Sequence, residues 1–317
     1  MKLARFALLF CVAVVAVWVA VCAVVGIVAA DMALHSARHR LGAADEARAE
    51  DVATRNGAAL DEVAVTADDG ATLRGWSMRP LHGNGDVVIL LHGHTGNRAG
   101  MLGYAELLMR HGYAVVLPDA RAHGDSGGEV ATYGVMEARD VRHWFDWVEE
   151  TEHPRCVDGL GESMGAAQML ESLKAAPGFC AVVAESSYAS FREASYDRLA
   201  EKVDAGAWLG RTLLRPAVEV GFIYARWRYG VDWELASPED AVAGSHVPVL
   251  LIHGRRDTNL PLWHSERIVA SSASRVPAVV LWEPAQAGHT GAAGAEPEEF
   301  ERRVIGWFEG HDARVGK

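Results

Sequence analysis

The segment with the clearest chemical potential runs from Val157 to Ala167 and reads VDGLGESMGAA. A short apolar run ends at Gly161-Glu162-Ser163-Met164-Gly165, and an Ala-rich helical segment follows. A serine that attacks a carbonyl must stand at the tip of a sharp strand-to-helix turn, and the residues two positions away must lack side chains. The spacing therefore predicts that Ser163 is a nucleophile, with the N–H groups of the following helix facing the developing negative charge.

Two further residues follow predicted strands and have the chemistry that a serine nucleophile needs. His289 lies shortly after the last predicted strand, and an imidazole can take the hydroxyl proton near neutral pH. Asp257 follows the apolar run Val249–Ile252, where a buried carboxylate would hold the imidazole tautomer and stabilise the imidazolium. Taken singly, Asp257 is also typical of a turn or helix cap, and His289 of an ordinary loop. Their order and their positions after strands favour the catalytic interpretation, with Glu185 as a lower-ranked alternative acid.

A tetrahedral intermediate needs two backbone N–H donors for its oxyanion. One is expected from Met164, the residue after the nucleophile. The other is expected from the main chain of His94, in the glycine-containing loop after the predicted strand Val87–Leu91. His92 and His94 are alternatively half of a metal site, but the residues beside them supply no further Asp or His ligands. We therefore predict no metal and no organic cofactor.

Composition limits the classes of function. The chain has 317 residues, half of them hydrophobic, and a formal net charge of −12. This length suits one α/β domain with an appendage, and the acidic balance argues against nucleic-acid binding. Four cysteines are too few for a disulfide scaffold. Cys156 and Cys180 each stand at the start of a predicted strand; a bridge is conceivable if these strands are neighbours, but two buried thiols are favoured.

Residues 1–30 predict a transmembrane signal anchor. They contain Phe6–Ala30, 25 residues without a charge, which as a helix would span about 37 Å and cross a hydrocarbon core of about 30 Å. A cleaved signal peptide has a shorter apolar region, so an uncleaved single-pass anchor is favoured. Lys2 and Arg5 favour a cytoplasmic amino terminus and an extracytoplasmic catalytic domain, although two arginines, at 38 and 40, flank the other end. Residues 31–59 are rich in Ala, Arg, Asp and Glu and predict a solvated helical or flexible stalk.

Residues 60–317 alternate between apolar strand-like runs and segments with helical periodicity. This alternation predicts an α/β fold with a mostly parallel central sheet and helices on both faces. Functional sites in such sheets lie beyond the carboxyl ends of the strands. The alternation stops from about Ser186 to Ala236, a stretch that is rich in tryptophan and tyrosine. The aromatic residues there either favour an apolar substrate or only pack this stretch onto the sheet; they are Trp208, Tyr224, Trp227, Tyr229 and Trp233.

With these elements placed, the sequence resembles the α/β-hydrolase superfamily, and its closest likeness is to the membrane-anchored, serine-aminopeptidase-like branch with an esterase-like domain. The resemblance covers nearly all of residues 60–310. Five segments carry it: LLHGHTG at 90–96, PDARAHGDSGG at 118–128, GESMG at 161–165, PVLLIHGRRDTNLP at 248–261 and AGHTG at 287–291.

The resemblance implies an α/β-hydrolase fold in which Ser163 is the nucleophile, His289 the base and Asp257 the acid. It also implies that the N–H groups of His94 and Met164 form the oxyanion hole, and that residues 186–245 form a small helical cap inserted after the sixth strand. One departure from the family pattern is Ala122, which replaces the first glycine of the usual Arg-Gly-His-Gly loop. His123 in the same loop is expected to be structural.

Residues and resemblance together predict a carboxylesterase-like serine hydrolase that cleaves an acyl ester through an acyl-enzyme. Its expected partners are a small-molecule acyl substrate and, through the N-terminal helix, a membrane; the oligomeric state stays open. The same triad would serve a peptidase, amidase or acyltransferase, and Glu193 and Asp197 are candidate binders of a peptide amino group. A non-catalytic, membrane-anchored binding protein is the alternative from another class; loss of a triad member would favour it, and none is missing.

Overall fold

A central sheet organises the structure, a computed structural model that describes residues 2–204 and 206–311. Within these residues eight strands form one sheet in the order β1-β2-β4-β3-β5-β6-β7-β8. The strands are β1 (Ala58–Thr66), β2 (Thr72–Pro80), β3 (Val87–Leu91), β4 (Ala114–Pro118), β5 (Val157–Glu162), β6 (Val182–Glu185), β7 (Val249–Ile252) and β8 (Val280–Trp282). The strands from β3 to β8 are parallel, and β1 and β2 form an antiparallel edge. The predicted fold class is confirmed.

Helices cover both faces of this sheet. The α-helices of the described residues are α1 (Lys2–Leu34), α2 (Ala43–Arg55), α3 (Leu102–Arg110), α4 (Glu137–Glu152), α5 (Met164–Ser172), α6 (Phe191–Lys202), α7 (Ala207–Gly210), α8 (Arg215–Tyr229), α9 (Pro238–Ala243), α10 (Trp263–Ser271), α11 (Ala292–Ala295) and α12 (Pro297–Gly310). Alternate residues of β3 point to opposite faces: Val88 and Leu90 join the core under α3 and α12, whereas Ile89 joins the core under α4 and α5. A strand buried on both faces must be apolar throughout, which explains the continuous run in the sequence.

The segment expected to be a solvated stalk instead packs against the domain. Its helix α2 has Ala49, Val52 and Ala53 buried, and the first two belong to the core on one face of the sheet. Arg38 donates hydrogen bonds to the carbonyl oxygens of Ala122 and Gly128. The sequence gives no clear signal for the packing of α2, because three small apolar side chains in a charge-rich helix provide it.

The cap predicted at residues 186–245 is helical and carries α6 to α9 between β6 and β7. Its buried aromatic residues form a third cluster, which also includes Ala30 and Leu34 from the end of α1. Helix α1 packs against α8, where Gly26 lies so close that an added Cβ would stand 2.2 Å from the carbonyl oxygen of Ala217. The apolar N-terminal helix is therefore joined to the cap along its last turns.

The two strand-start cysteines form a bridge, so the expectation of two buried thiols was wrong. Cys156 and Cys180 are disulfide-bonded, with their Cα atoms 5.7 Å apart. Cys156 immediately precedes β5, and Cys180 lies just before β6. These two strands are parallel neighbours, with Gly159 paired to Val182. Strand adjacency, which the sequence left open, decides the pairing.

Candidate active site

Ser163 stands at the sharp turn between β5 and α5, as the motif predicts. Its backbone is held at φ 52° and ψ −115°, a strained conformation for a residue with a side chain. The flanking glycines explain the sequence: a Cβ on Gly161 would lie 2.4 Å from the carbonyl oxygen of Gly165, and one on Gly165 would lie 2.3 Å from that of Leu91. The turn thus permits no side chain at either position and leaves the Ser163 hydroxyl at the carboxyl edge of the sheet.

The structure brings Ser163, His289 and Asp257 together. The distance from Ser163 Oγ to His289 Nε2 is 2.8 Å, and the distance from His289 Nδ1 to Asp257 Oδ2 is also 2.8 Å. We assign the hydroxyl of Ser163 as donor to Nε2, and the Nδ1–H of His289 as donor to the carboxylate. The Asp257 side chain is fully buried, whereas that of His289 is one-fifth exposed. This arrangement allows the imidazole to accept a proton from the serine.

Close packing of two loops sets the position of the histidine relative to the aspartate. A Cβ on Gly254 would lie 2.4 Å from the carbonyl oxygen of Ala287, so the loop after β7 and the loop after β8 touch at that glycine. The N–H of Arg256 donates to the same Ala287 carbonyl over 2.9 Å. Asp257 and His289, 32 positions apart in sequence, are thereby placed within hydrogen-bonding distance.

The Asp257 carboxylate is kept ionised by its surroundings. Burial by itself would raise its pKa, but the hydrogen bond from His289, electrostatic attraction to that ring and the N–H of Leu260 outweigh burial and lower the pKa below its ordinary value. Its other oxygen, Oδ1, accepts hydrogen bonds of 2.9 Å from the backbone N–H groups of Asn259 and Leu260. An ionised, fixed carboxylate can hold the imidazole in one tautomer.

The loop after β3 lies over the nucleophile. A Cβ on Gly93 would be 3.5 Å from the Cβ of Ser163, which places the following residue, His94, beside the serine. Met164 is the first residue of α5, immediately after the turn. His92 is fully buried, with Nδ1 donating to the Gly93 carbonyl and Nε2 accepting from the N–H of Ala120. Both ring nitrogens of His92 are therefore engaged in holding the loop.

Sequence reasoning missed two residues that hold the side chain of His94. Its Nε2 lies 2.7 Å from Ser36 Oγ and 3.1 Å from the Tyr133 hydroxyl oxygen. Both hydroxyls donate to the Ala33 carbonyl, so their oxygens can accept from the Nε2–H of His94. Burial and the neighbouring His123 lower the pKa of His94 to about 4, so the ring is neutral at physiological pH. No sequence signal marks Ser36, because it lies in the segment that resembled a stalk.

Glu185, the alternative acid, has other partners. Its Oε1 accepts from the N–H of Ala292 over 2.8 Å, and its Oε2 accepts from the Tyr104 hydroxyl over 3.0 Å. Burial raises the pKa of Glu185 to about 7, with nearby Glu162 adding to the effect. The Nδ1 of His289 is bound to Asp257 instead, so the geometry favours Asp257 over Glu185.

The loop with the missing glycine adopts the backbone that a glycine would favour. Ala122 has φ 58°, in the left-handed region, which costs an alanine about 1 kcal/mol relative to glycine. Its N–H donates to the Gly127 carbonyl and its own carbonyl accepts from Arg38, which holds the strained residue in place. His123 is completely buried with Nδ1 donating to the Arg121 carbonyl, in agreement with its structural interpretation.

Fold and site define a class: a hydrolase built on a parallel sheet, with a serine at a strand-to-helix turn and a histidine and an aspartate on later loops at the same edge. The chain belongs to the alpha/beta hydrolase family, whose model matches residues 88–303. The match includes every site residue described above except Ala33, Ser36 and Arg38.

Relatives of similar length share part of the sequence. The chain is 28% identical to the protein YqkD of Bacillus subtilis over 202 residues, which are 63% of this chain and 64% of that protein. It is 27% identical to the protein Rv2307c of Mycobacterium tuberculosis over 250 residues, which are 77% of this chain and 75% of that protein. The chain thus spans just under two thirds of the length of YqkD.

Solved structures include esterases and peptidases with the same fold. The structure of the Pyrococcus furiosus esterase PF2001 matches with a TM-score of 0.66 and 26% identity, covering 82% of this chain and 94% of that one. The Pyrococcus horikoshii acylaminoacyl peptidase matches with a TM-score of 0.60 and 17% identity, covering 80% of this chain and 41% of that one. At that identity the peptidase shares the fold alone. Together the comparisons support a hydrolase.

Proposed function

We propose that this protein is a serine hydrolase that cleaves carboxylic esters of small acyl substrates, with Ser163, His289 and Asp257 as its catalytic triad. The observation that carries the proposal is the continuous pair of 2.8 Å hydrogen bonds from serine to histidine to aspartate. Each residue follows the end of a strand at the same edge of the sheet, which gives the site a rigid support.

The proposed reaction is a two-step acyl transfer that needs no cofactor. Ser163 attacks the ester carbonyl while His289 takes the hydroxyl proton, and the main-chain N–H groups of His94 and Met164 stabilise the oxyanion. His289 then protonates the leaving alcohol as the acyl-enzyme forms. In the second step His289 takes a proton from water, which attacks the acyl-enzyme and releases the acid.

The cap favours an ester over a peptide with a free amino group. Glu193 and Asp197, the acidic candidates for binding an amino terminus, both pair with Arg211. Asp197 also lies 3.3 Å from His264 Nε2. Carboxylates that are already paired with cations within the cap are poor partners for a substrate ammonium group.

Competing turnover assays test the ester proposal. We expect the full-length protein to hydrolyse a short p-nitrophenyl acyl ester, and to cleave an aminoacyl p-nitroanilide at least about 100-fold more slowly in kcat/KM, a difference of about 3 kcal/mol in transition-state stabilisation. The Ser163→Ala variant serves as the blank for both substrates. Preference for the anilide would replace the esterase proposal with a peptidase.

We propose that α1 is an uncleaved membrane anchor. Leu3–Leu34 is long and apolar enough to cross a membrane, a property that signal sequences share. However, the buried positions Cys22, Gly26, Ala30 and Leu34 recur every fourth residue, and the first three contact residues 213–221 of the cap. Cleavage after Ala30 would remove these three contacts and uncover the cap surface around Gly221.

The disulfide supports an extracytoplasmic catalytic domain, because such bonds persist in oxidising compartments. The bridge joins residues 24 positions apart, and closing a loop of that length stabilises a domain by roughly 3 kcal/mol. We expect the Cys156–Cys180 link in peptide mass spectra of alkylated protein isolated from cells without reductant. The Cys156→Ser, Cys180→Ser pair should lower the melting temperature under non-reducing conditions only. Alkylation of both thiols in the wild type would indicate a reducing compartment and a cytoplasmic domain.

A further inference from the structure

The cap carries large apolar side chains on its outer surface. Trp208 and Leu213, in and just after α7, are 71% and 54% exposed, and Ile223 and Trp227 on α8 are 67% and 81% exposed. The remaining cap aromatics highlighted by the sequence are occupied: Trp233 is buried, and Tyr224 and Tyr229 hydrogen-bond to Asp31 of α1. Exposed apolar side chains that share one short turn, as Trp208 and Leu213 do, are typical of a surface that contacts something other than water.

Contacts between α1 and α8 fix where this surface lies along the N-terminal helix. Cys22 Sγ is 4.0 Å from the carbonyl oxygen of Leu213, Gly26 packs against Gly221, and Asp31 meets Tyr229. The residue numbers rise together in these pairs, so the two helices run in the same direction. Leu213 is therefore level with Cys22, and α8 leads away from that level toward the body of the domain.

Trp208 belongs to the same short turn as Leu213. The hydroxyl of Thr212 donates to the Trp208 carbonyl over 2.7 Å, and the N–H of Leu214 donates to the Leu209 carbonyl over 3.0 Å. These bonds fold residues 208–214 into one compact turn, which keeps Trp208 close to Leu213. Ile223 and Trp227 are farther along α8, by about 12 Å and 18 Å from Arg215 at 1.5 Å per residue.

The exposed part of α1 has the length of a membrane-spanning segment. Residues 3–21 make up the portion of the helix that extends beyond the cap, and their side chains are exposed throughout. Nineteen residues of helix measure about 28 Å, close to the hydrocarbon thickness of a bilayer of about 30 Å. A bilayer that surrounds this portion ends near Cys22, which is the level of Leu213, close to Trp208.

Residues beside the patch fit the interfacial layer of a membrane. Val24 and Val28 on α1, just past the level of Cys22, are themselves more than half exposed. Arg215, in the first turn of α8, lies 3.3 Å from a carboxylate oxygen of Glu219, and its side chain is still 62% exposed. Tryptophan and exposed cationic side chains are enriched where the hydrocarbon meets the headgroups, because the ring tolerates both media and the cation meets lipid phosphate.

We propose that Trp208 and Leu213 form a second membrane contact, inserted into the interfacial layer of the leaflet from which α1 emerges. The proposal rests on the anchor role proposed above for α1. It makes the cap a part of the membrane-bound surface. It also predicts a gradient of depth along α8, from Leu213 at the lipid to Trp227 in water.

Depth-dependent quenching tests this contact in the full-length protein. Single cysteines replace Trp208, Leu213 or Trp227 in a Cys11→Ala, Cys22→Ala background that keeps the disulfide. Each is labelled with a polarity-sensitive fluorophore and reconstituted into phosphatidylcholine vesicles with a fifth of anionic phosphatidylglycerol. Leu81→Cys is the matched control, because Leu81 is 80% exposed and follows β2 at the opposite edge of the sheet. Lipids brominated near the headgroup serve as the quencher.

We expect the labels at 208 and 213 to lose roughly half of their emission, because they lie within the interfacial layer, while those at 227 and 81 keep theirs. Labels at 208 and 213 that emit like the label at 81 would overturn the proposal, and so would failure of the protein to float with the vesicles. Turnover of the soluble p-nitrophenyl ester in the same vesicles reports separately on the proposed catalysis. Quenching without turnover would support the membrane contact and contradict the esterase proposal. Turnover without quenching would support the esterase proposal and contradict the membrane contact.

Discussion

Replacing Ser163 with alanine is expected to lower kcat for the acyl ester by about 10⁴–10⁶-fold, the range seen when a triad nucleophile is removed. The hydroxyl oxygen is the atom that forms the acyl-enzyme, so no neighbouring group can replace it. A fluorophosphonate probe, which reacts with activated serines, should label the wild-type protein and leave the variant unlabelled. The fold should persist, because the turn depends on Gly161 and Gly165 rather than on the hydroxyl.

Ser195→Ala is the matched control for this experiment. Ser195 lies on α6 of the cap and its hydroxyl donates to the Phe191 carbonyl within that helix, so the variant should label and turn over like the wild type. The full chain is the appropriate protein, because α1 packs against α8 and a fragment from residue 31 would uncover the cap. If the folded wild-type protein does not react with the fluorophosphonate probe, the catalytic proposal is contradicted, and a non-catalytic binding protein becomes the leading interpretation.

Replacing Asp257 with asparagine is expected to lower kcat by about 10⁴-fold with little change in overall fold. The amide cannot stabilise the imidazolium, and it can donate a hydrogen bond to Nδ1 and so favour the wrong tautomer of His289. The backbone N–H groups of Asn259 and Leu260 can still bond to the remaining oxygen, which preserves the loop. The measurement is kcat across pH 5–9; activity within tenfold of the wild type would exclude Asp257 as the triad acid.

Glu185→Gln distinguishes the two candidate acids. We expect this variant to keep kcat within about tenfold, because Glu185 bonds to Tyr104 and Ala292 rather than to Nδ1 of His289. Its effect should appear in stability instead. Burial raises the pKa of Glu185 from 4.5 to about 7, so the folded state holds this proton more tightly than the unfolded state does.

The stabilisation from that proton is fully present below about pH 4.5 and is lost as pH rises through about 7, an amount of roughly 3 kcal/mol. The wild type should therefore lose unfolding free energy between pH 5 and 8, and Glu185→Gln should lose less across the same range. Denaturant midpoints at the two pH values measure the difference. Equal slopes for both proteins would show that Glu185 does not hold a proton in the folded state.

Much of the fold could be predicted because two local patterns are strong. Buried parallel strands must be apolar along their whole length, as Val87–Leu91 is. The glycines beside Ser163 are required by contacts shorter than a side chain allows. Since parallel strands end at one edge of the sheet, residues that follow their ends, such as Asp257 and His289, were expected to converge there.

Other features of the site could not be found from local patterns. Ser36 contacts His94 across 58 positions of sequence, and an isolated serine in a charged, Ala-rich stretch carries no signal for such a contact. Helix α2 joins the core through a few small side chains. In the sequence alone, Asp197 is a candidate to bind a substrate amino group. The packed helices of the cap show that it is already paired with Arg211.

The sequence by itself predicted the α/β-hydrolase fold, the sharp turn at Ser163 and the convergence of Asp257 and His289 beside it, because backbone sterics and strand direction act over a few residues. Tertiary structure decided the Cys156–Cys180 bridge, the packing of α1 on the cap and the contact of Ser36 with the loop beside the nucleophile. These depend on which distant surfaces meet, and pairwise contacts between small or polar residues leave no periodic trace in a single chain.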